Sequence, residues 1–414
     1  MSQLSLYPLD EPLIDPSAWH LDPTLTFLNH GSFGACPREL LRAQSAEQES
    51  LERSPVSYFL RSLPERLERS RASFSELLGA SIEGLCLVSN ASEGVATALR
   101  AVRWRAGDEV VVSRDGYRAC LNMLSELSRQ RGVTVRIAET PFGVKDPKAP
   151  GAYERWSKQV VEAFEAQCSP ETRLLLIDHI TSPTALVFPV QELIELAVHQ
   201  GALSLVDGAH APGHVRVNLS ELSPDFYTGN AHKWLMSPKS CAALCVGERW
   251  RSQLSPLVIS HGYDASPERR LHAQFDWTGT RDLSAWVTLP TTLDWLERHG
   301  GWQSIVARNH ELIIKARASL VRQMWGDAEP SLPPEQALGQ MASIPVPAEL
   351  TAKARLAIGD STLHPLQEWL FQRSVEVPVI PSPYTGAPDL LRISAQAYNT
   401  LADYERLAER LSEL

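Results

Sequence analysis

An aspartate at the end of an apolar run and a lysine in a later loop carry the strongest chemical signal in this sequence. Asp207 ends the run ALSLVD at 202–207, and Lys233 lies between His232 and Trp234 in a loop rich in Gly, Asn and Ala. A lysine amine can form a Schiff base with an aldehyde, and a carboxylate can keep a heteroaromatic ring nitrogen protonated. Taken alone, the pair also fits a solvated lysine and a helix-capping aspartate.

A second polar segment, SNASEG at 89–94, joins an apolar run to a helix-like stretch. Ser92 and the free backbone amides around it form a potential anion site at a helix N-terminus. Ordinary N-capping of the same helix is the alternative interpretation.

Histidines near these segments raise the question of a metal site. The candidates are His179, His210, His214 and His232. Pro212 and Gly213 interrupt any helical spacing between His210 and His214, and no cysteine joins them at ligand spacing. The sequence therefore predicts no metal.

Ordered motifs along most of the chain resemble those of the class V aminotransferase family of pyridoxal-phosphate (PLP) enzymes, which has the aspartate aminotransferase fold. Within that family the chain is most similar to isopenicillin N epimerase-like proteins. The motifs are FLNHGSFGACP at 27–37, SNASEG at 89–94, DHITSPTALVFPV at 178–190, VDGAHAPG at 206–213, GNAHKW at 229–234, WTGTRD at 277–282 and LLRISAQAYNT at 390–400.

The resemblance implies a role for each matching polar residue around pyridoxal 5'-phosphate. Lys233 would carry the cofactor, Asp207 would face its ring nitrogen, and an aromatic residue, Tyr117, would stack on the ring. His210 would reach the phenolic oxygen or the lysine. The remaining implied cofactor contacts are Ala91, Ser92, Thr181, Asn230 and His232.

Three further residues are implied to act at the substrate side or across a subunit boundary. Arg392, in the apolar context Leu391-Arg392-Ile393, matches the arginine that binds a substrate carboxylate, for which a planar guanidinium is suited. Asn29 is expected to contact the substrate as well. Thr280 matches a segment that reaches a neighbour's phosphate, which implies a homodimer with composite sites.

The reaction at the α-carbon is less defined than the cofactor. The resemblance favours an epimerase or racemase acting on an amino acid or amino-acid-containing substrate, with Lys233 as base and Tyr117 as the candidate acid on the other face. A cysteine-conjugate or sulfoxide C–S lyase and an aminotransferase are the alternatives. A cysteine desulfurase is disfavoured because no cysteine follows Cys245. A regulatory PLP-binding domain is disfavoured because no DNA-binding segment is present.

The elements that must position these residues follow from hydrophobic patterning. Short apolar runs alternate with helix-like stretches between about 84 and 246, which predicts βαβ units, a mostly parallel sheet and strands buried on both faces. Ligands of such sheets bind at the carboxyl ends of the strands. Further along, a helical pattern from Ser284 through Arg298 predicts one helix, and the Pro-rich stretch at 326–340 is predicted to be a surface loop. The prediction is an N-terminal arm at 1–35, a large PLP-binding α/β domain at 36–289 and a smaller α+β C-terminal domain at 290–414.

Composition limits the other function classes. The formal net charge is −10 and no Lys/Arg-rich run occurs, so nucleic-acid binding is not expected. No apolar stretch approaches the length of a membrane span, and the first residues lack the pattern of a secretory signal. These features predict a cytoplasmic protein without membrane partners.

Overall fold

A computed structural model of the chain describes residues 7–359 and 361–414. The first six residues of the predicted N-terminal arm lie outside this range. The strands are β1 Thr26–Phe27, β2 Leu85–Val88, β3 Glu109–Ser113, β4 Thr134–Ala138, β5 Thr172–Asp178, β6 Leu203–Gly208, β7 Phe226–Asn230, β8 Ala242–Val246, β9 Met341–Pro345, β10 Val375–Glu376, β11 Val379–Ile380 and β12 Leu390–Ser394.

Helices account for most of the remaining regular structure. The helices are α1 His30–Phe33, α2 Arg38–Arg53, α3 Pro55–Ser57, α4 Leu63–Leu78, α5 Ala91–Ala101, α6 Arg118–Arg131, α7 Ala152–Glu165, α8 Val190–His199, α9 Leu219–Leu222, α10 Pro267–Asp276, α11 Ser284–Val287, α12 Leu289–Arg298, α13 Trp302–Trp325, α14 Ala348–Ile358, α15 Pro365–Phe371 and α16 Leu401–Ser412. A π-helical turn, Tyr58–Ser62, joins α3 to α4.

A seven-stranded sheet forms the centre of the molecule, in the order β2-β8-β7-β6-β5-β3-β4. The pairs from β7 through β4 are parallel, and β8 runs antiparallel to both of its neighbours. This arrangement confirms the predicted mostly parallel α/β sheet. Because the parallel strands end at one edge, the residues that follow β3, β5, β6 and β7 gather there.

Most predicted elements are confirmed, and three local expectations are wrong. Strand β4 lies at the sheet edge with most of its side chains partly or fully exposed, so it is not buried on both faces. The single helix predicted from 284 to 298 is divided into α11 and α12 at Thr288, just before Pro290, whose missing N–H suits the first turn of a new helix. The Pro-rich stretch at 326–340, predicted as a surface loop, buries Leu332, Leu338 and several neighbours.

The C-terminal part forms a second, antiparallel sheet in the order β11-β12-β9. Near the N-terminus, β1 pairs in parallel with β10, so the first described segment packs on the C-terminal part. Helix α12 begins at Leu289, one residue before the predicted start of the smaller domain. The predicted boundaries at 35 and 289 stay predictions.

Within the described residues, no helix is both long and apolar enough to cross a bilayer.

Candidate active site

A cavity of about 350 Å³ opens at the carboxyl edge of the central sheet. Eight of the twelve predicted site residues line it. The lining residues are Ser32, Phe33, Asn90, Ala91, Ser92, Tyr117, Asp178, Ile180, Ser182, Asp207, Ala209, His210, Asn230, His232 and Lys233. The cavity therefore combines an amine, two carboxylates and a helix N-terminus in one space.

Lys233 enters the cavity from the loop that follows β7. Its Nζ lies 3.1 Å from His210 Nε2, and its carbonyl lies 3.0 Å from His30 Nε2. Burial, together with the charge of Arg392, lowers the pKa of the Lys233 amine to about 7, although Asp207 opposes the shift. With a pKa of about 7, about half of the Lys233 side chains are free amines at neutral pH, far more than for an ordinary lysine.

Glycine at position 34 allows the N-terminal segment to pass directly over this lysine. Its φ is +72°, and a Cβ there would lie 2.5 Å from the His232 carbonyl oxygen and 2.9 Å from that of Lys233. A side chain at position 34 would therefore be strained and would push the lysine loop away.

Asp207 ends β6 at the base of the cavity. Its Oδ1 accepts a hydrogen bond from the Ala209 amide at 3.0 Å, and its Oδ2 accepts one from Cys120 Sγ at 3.3 Å. Burial raises the pKa of this carboxyl, and the hydrogen bonds and Lys233 act in the opposite direction. The group is thus fixed in orientation and has spare capacity to face a protonated ring nitrogen.

Asp178 is a second buried carboxylate that the sequence interpretation missed. It is the register partner of Asp207 on the neighbouring strand β5, and it lines the same cavity. Burial and the charges of Asp207 and Asp115 raise its pKa well above the usual value, while the Tyr117 amide donates to it. The missed signal was the one used for Asp207, an aspartate that ends an apolar run.

The N-terminus of α5 faces the cavity from the side of β7. Asn90 caps the helix by accepting from the Glu93 amide at 2.9 Å, and the Ala91 amide donates to Asn230 Oδ1 at 2.9 Å. Helix α5 approaches β7 so closely that a Cβ at Gly94 would lie 2.1 Å from Thr228 Oγ1. Ser92 and the positive end of the helix dipole could hold an anion such as a phosphate.

Tyr117 and His232 complete the polar wall. Tyr117 immediately precedes α6 and is 41% exposed at the cavity. His232 Nδ1 lies 3.1 Å from the Cys241 carbonyl oxygen and must donate to it. Burial lowers the pKa of His232 to about 4, so its ring is neutral at physiological pH.

Arg392, on β12, lies directly behind two serines of the cavity wall. Its Nη1 donates to the Ser182 carbonyl oxygen at 2.6 Å, and its Nη2 donates to Ser32 Oγ at 2.8 Å. Its Nε–H has no partner, and no carboxylate of the described residues pairs with it. Burial lowers the pKa of the guanidinium to about 10, so it remains a cation. A buried cation without a counter-charge is a ready receptor for a carboxylate.

Besides Arg392, three predicted site residues do not line the cavity. Asn29 accepts a hydrogen bond from Ser32 Oγ at 2.5 Å and so reaches Arg392 only through that serine. Thr181 is fully buried and accepts from the Leu186 amide at 2.8 Å, whereas its neighbour Ser182 lines the cavity. Thr280 is exposed on the surface of the chain.

The sequence predicts no metal at the four candidate histidines, His179, His210, His214 and His232. In the part of the chain that the structure describes, no group of three or more His, Cys, Asp or Glu residues is arranged to hold a metal ion. His210 and His214 are instead buried, and burial lowers the pKa of each ring well below its usual value.

Comparison with known proteins adds sequence relatives to this geometry. The family described as Aminotransferase class-V matches residues 38–345. An isopenicillin N epimerase of Amycolatopsis lactamdurans is 33% identical over 95% of this chain and 96% of its own length. An L-cysteine desulfhydrase of Arabidopsis thaliana is 30% identical over 98% of this chain and 91% of its own length.

Solved structures support the fold. A variant of the enzyme C-DES, with glycine covalently linked to its PLP cofactor, superimposes with a TM-score of 0.73 at 19% identity, over 95% of this chain and 97% of that one. The architecture is that of PLP-dependent enzymes of the aspartate aminotransferase type, which confirms the predicted fold class.

Proposed function

The chain belongs to the class V aminotransferase family and uses its cofactor, pyridoxal 5'-phosphate; we propose that it is an enzyme acting at the α-carbon of an amino acid, as an epimerase or racemase. The observation that carries the proposal is the presence of two groups at one cavity. The amine of Lys233, with its lowered pKa, lines the cavity, and the buried guanidinium of Arg392, which has no counter-charge, lies directly behind two serines of the cavity wall. The first can move a proton and the second can bind a carboxylate.

The donor set of the cavity fits the cofactor. Lys233 would hold its aldehyde carbon, Asp207 would face its ring nitrogen, and Tyr117 would pack against its ring. Ser92 and Asn230, at the positive end of α5, would hold its phosphate. Supporting observations are the lowered pKa of Lys233 and the burial of Asp207 in the same cavity.

When bound, pyridoxal phosphate withdraws electron density from the substrate's α-carbon and weakens its C–H bond. Asp207 supports that withdrawal by keeping a positive charge at the ring nitrogen. Its hydrogen bonds from Ala209 and Cys120 hold the carboxylate in a fixed direction, so little reorganisation is needed during turnover.

Lys233 is the base in this proposal. Its amine, once free, takes the α-proton, because burial lowers its pKa to about 7 and leaves a substantial share of it unprotonated near neutral pH. Arg392 binds the α-carboxylate and orients the α-hydrogen for that transfer. Ser32 and Ser182 hold the guanidinium at two of its nitrogens, which pre-organises this receptor.

Epimerisation also requires a proton donor on the other face of the α-carbon. Tyr117 is the candidate, since it enters the cavity after β3 while Lys233 enters after β7, with β6 and β5 between them. The similarity to isopenicillin N epimerase over nearly the whole length supports the same reaction class.

A C–S lyase is the second candidate, and one observation favours it. Among the described residues that line the cavity, Lys233 is the only one with a side-chain amine, and the two carboxylates, Asp178 and Asp207, lie at the ends of strands. Elimination of a sulfur leaving group requires one base only, as does the reaction named for the desulfhydrase relative. An aminotransferase remains an outcome of the test. A persulfide-forming desulfurase is not proposed, because no cysteine follows Cys245.

The test combines cofactor trapping with isotope exchange. Borohydride should fix the cofactor irreversibly to Lys233, and a label on another lysine would contradict the assignment. In deuterated water, a panel of amino acids should exchange the α-hydrogen, and an epimerase should incorporate deuterium into both enantiomers. Accumulation of keto acid with sulfide or ammonia and without the second enantiomer would identify the lyase, and keto acid with an aminated cofactor the aminotransferase.

Assembly and location are part of the proposal. We expect a homodimer in which Thr280 reaches the neighbouring site, supported by the exposure of Phe33, Val258 and Ile259. Light scattering should give the mass of two chains, and a single-chain mass would contradict it. A cytoplasmic location is expected and can be tested by cell fractionation.

A further inference from the structure

Three side chains form a hydrogen-bonded row that ends at the Lys233 amine. The indole Nε1–H of Trp234 lies 3.3 Å from His210 Nδ1, and His210 Nε2 lies 3.1 Å from Lys233 Nζ. Trp234 and His210 are both buried, so water does not compete for the contact between the indole and the imidazole. Each ring nitrogen of His210 therefore has one defined partner.

The chemistry of these donors permits one arrangement of protons. An indole N–H can only donate, so His210 Nδ1 must accept and carries no proton. A neutral imidazole with a bare Nδ1 carries its proton on Nε2. Nε2–H then donates to Lys233 Nζ, which must accept and is therefore an uncharged amine. A lysine ammonium at this place would need a bare Nε2 and would leave the imidazole without a proton.

We propose that Trp234 is a positioning residue that fixes the tautomer of His210 and, through it, holds Lys233 as an uncharged amine. This inference rests on the proposed function, since the free amine is the form that captures the cofactor aldehyde and takes the α-proton. It adds a residue that does not line the cavity.

Other groups also act on the Lys233 amine and must be separated from this effect. Asp207 favours the ammonium, whereas burial and Arg392 oppose it. The titratable and charged side chains facing the amine from the surrounding elements are Asp178 and Asp207 at strand ends, Tyr117 before α6, His210 and His232 in loops, and Arg392 on β12. Removal of the indole N–H alone replaces none of these side chains, and of this set only the proton position on His210 is expected to change.

Trp234→Phe removes the N–H and keeps an aromatic ring. His210 can then carry its proton on Nδ1 and accept from a Lys233 ammonium at Nε2, so the pKa of Lys233 should rise by about one to two units, the value of a hydrogen bond to a charged group. The measurement is the pH dependence of trace labelling of Lys233 by fluorodinitrobenzene in the full-length apoprotein, read by peptide mass spectrometry. No turnover is needed, so failure of the proposed reaction leaves this result interpretable.

The matched control is Trp156→Phe. Trp156 is also fully buried and donates its indole N–H, to the Pro141 carbonyl oxygen at 3.0 Å, away from the cavity. It should leave the labelling profile of Lys233 unchanged. An equal shift in both variants, or no shift in Trp234→Phe, would overturn the proposal.

A packing effect is distinguished by a second background, because Trp234 also packs on His214 with ring centroids 4.1 Å apart. In a His210→Leu chain, Trp234→Phe should no longer move the pKa of Lys233; a shift that persists would come from water entry and would contradict the tautomer mechanism. If Trp234→Phe does not fold, nitrogen-15 NMR of the wild-type protein decides, with the His210 signals identified by their loss in His210→Leu. Protonated Nε2 and bare Nδ1 support the proposal, and the reverse overturns it.

Discussion

The two sides of the cavity are built in different ways. The sheet side takes Asp207, His210 and Lys233 from one stretch of chain, and the ladder between β6 and its neighbours fixes where these groups stand. On the opposite side, Arg392 depends on hydrogen bonds to Ser32 and Ser182, which lie 360 and 210 positions away in the sequence. The sheet side is therefore rigid and titratable, whereas the guanidinium side is assembled from remote segments by a few polar contacts.

Removing the negative charge of Asp207 on the sheet side should have the largest effect on turnover. Asp207→Asn keeps the shape of the side chain but cannot stabilise a protonated ring nitrogen, so kcat should fall by about two to four decades. Steady-state kinetics with the best substrate of the panel would measure it. Asp225→Asn is the control, since that carboxylate precedes β7 at the other end of the sheet and contacts Ser204 and Arg249. Near-wild-type turnover of Asp207→Asn would refute the ring-nitrogen assignment.

Tyr117 lies at the exposed rim of the sheet side, and its replacement shows which proton transfers depend on its hydroxyl. Tyr117→Phe should lower the rate of epimerisation by about two decades, the usual contribution of a general acid, while exchange of the α-hydrogen by Lys233 continues. Deuterium incorporation into each enantiomer separates the two rates. Equal loss of exchange and epimerisation would mean that Tyr117 serves the cofactor alone.

A change on the guanidinium side should weaken substrate binding and leave cofactor binding unaffected. Arg392→Lys replaces a planar fork with a point charge, so KM should rise by about ten- to a hundredfold while the cofactor absorbance stays the same. Arg317→Lys is a matched control, because Arg317 is also buried and donates to the Pro333 carbonyl oxygen at 2.8 Å. An unchanged KM for Arg392→Lys would show that the carboxylate binds elsewhere.

The difference between the two sides also explains what could be predicted from the sequence. Apolar runs such as EVVVS and RLLLID became β3 and β5 because continuous hydrophobicity is enough to specify strands buried in a parallel sheet. The sheet-side residues follow from the same pattern, since strand ends meet at one edge. Asp178 also ends an apolar run, but no lysine in a following loop marked it as half of a chemical pair, so it was not predicted.

Contacts between remote segments could not be predicted in this way. Nothing in the spacing of Ser32, Ser182 and Arg392 indicates that they meet, because their distance along the chain is unrelated to their distance in space. The break between α11 and α12 and the buried Pro-rich stretch were missed for a related reason, since local composition does not record what packs on a segment. The contact between the Trp234 indole and the His210 imidazole likewise joins two separate motifs, and their spacing along the chain does not indicate it.

The smallest expected effect separates two adjacent residues that the sequence could not distinguish. Thr181 was predicted to contact the cofactor, yet its hydroxyl accepts from the buried Leu186 amide, whereas Ser182 lines the cavity and contacts Arg392 through both its carbonyl and, at 3.2 Å, its hydroxyl. Ser182→Ala should raise KM by only about two- to tenfold, because the longer of two hydrogen bonds from Arg392 Nη1 is lost while the shorter one, to the Ser182 carbonyl oxygen, remains. Thr181→Val should leave KM and cofactor affinity unchanged but lower the free energy of unfolding by about 1–3 kcal/mol, because a buried amide loses its acceptor. Denaturant unfolding and cofactor titration of both variants measure these outcomes. Weakened cofactor binding in Thr181→Val, with normal stability, would restore Thr181 as a cofactor contact.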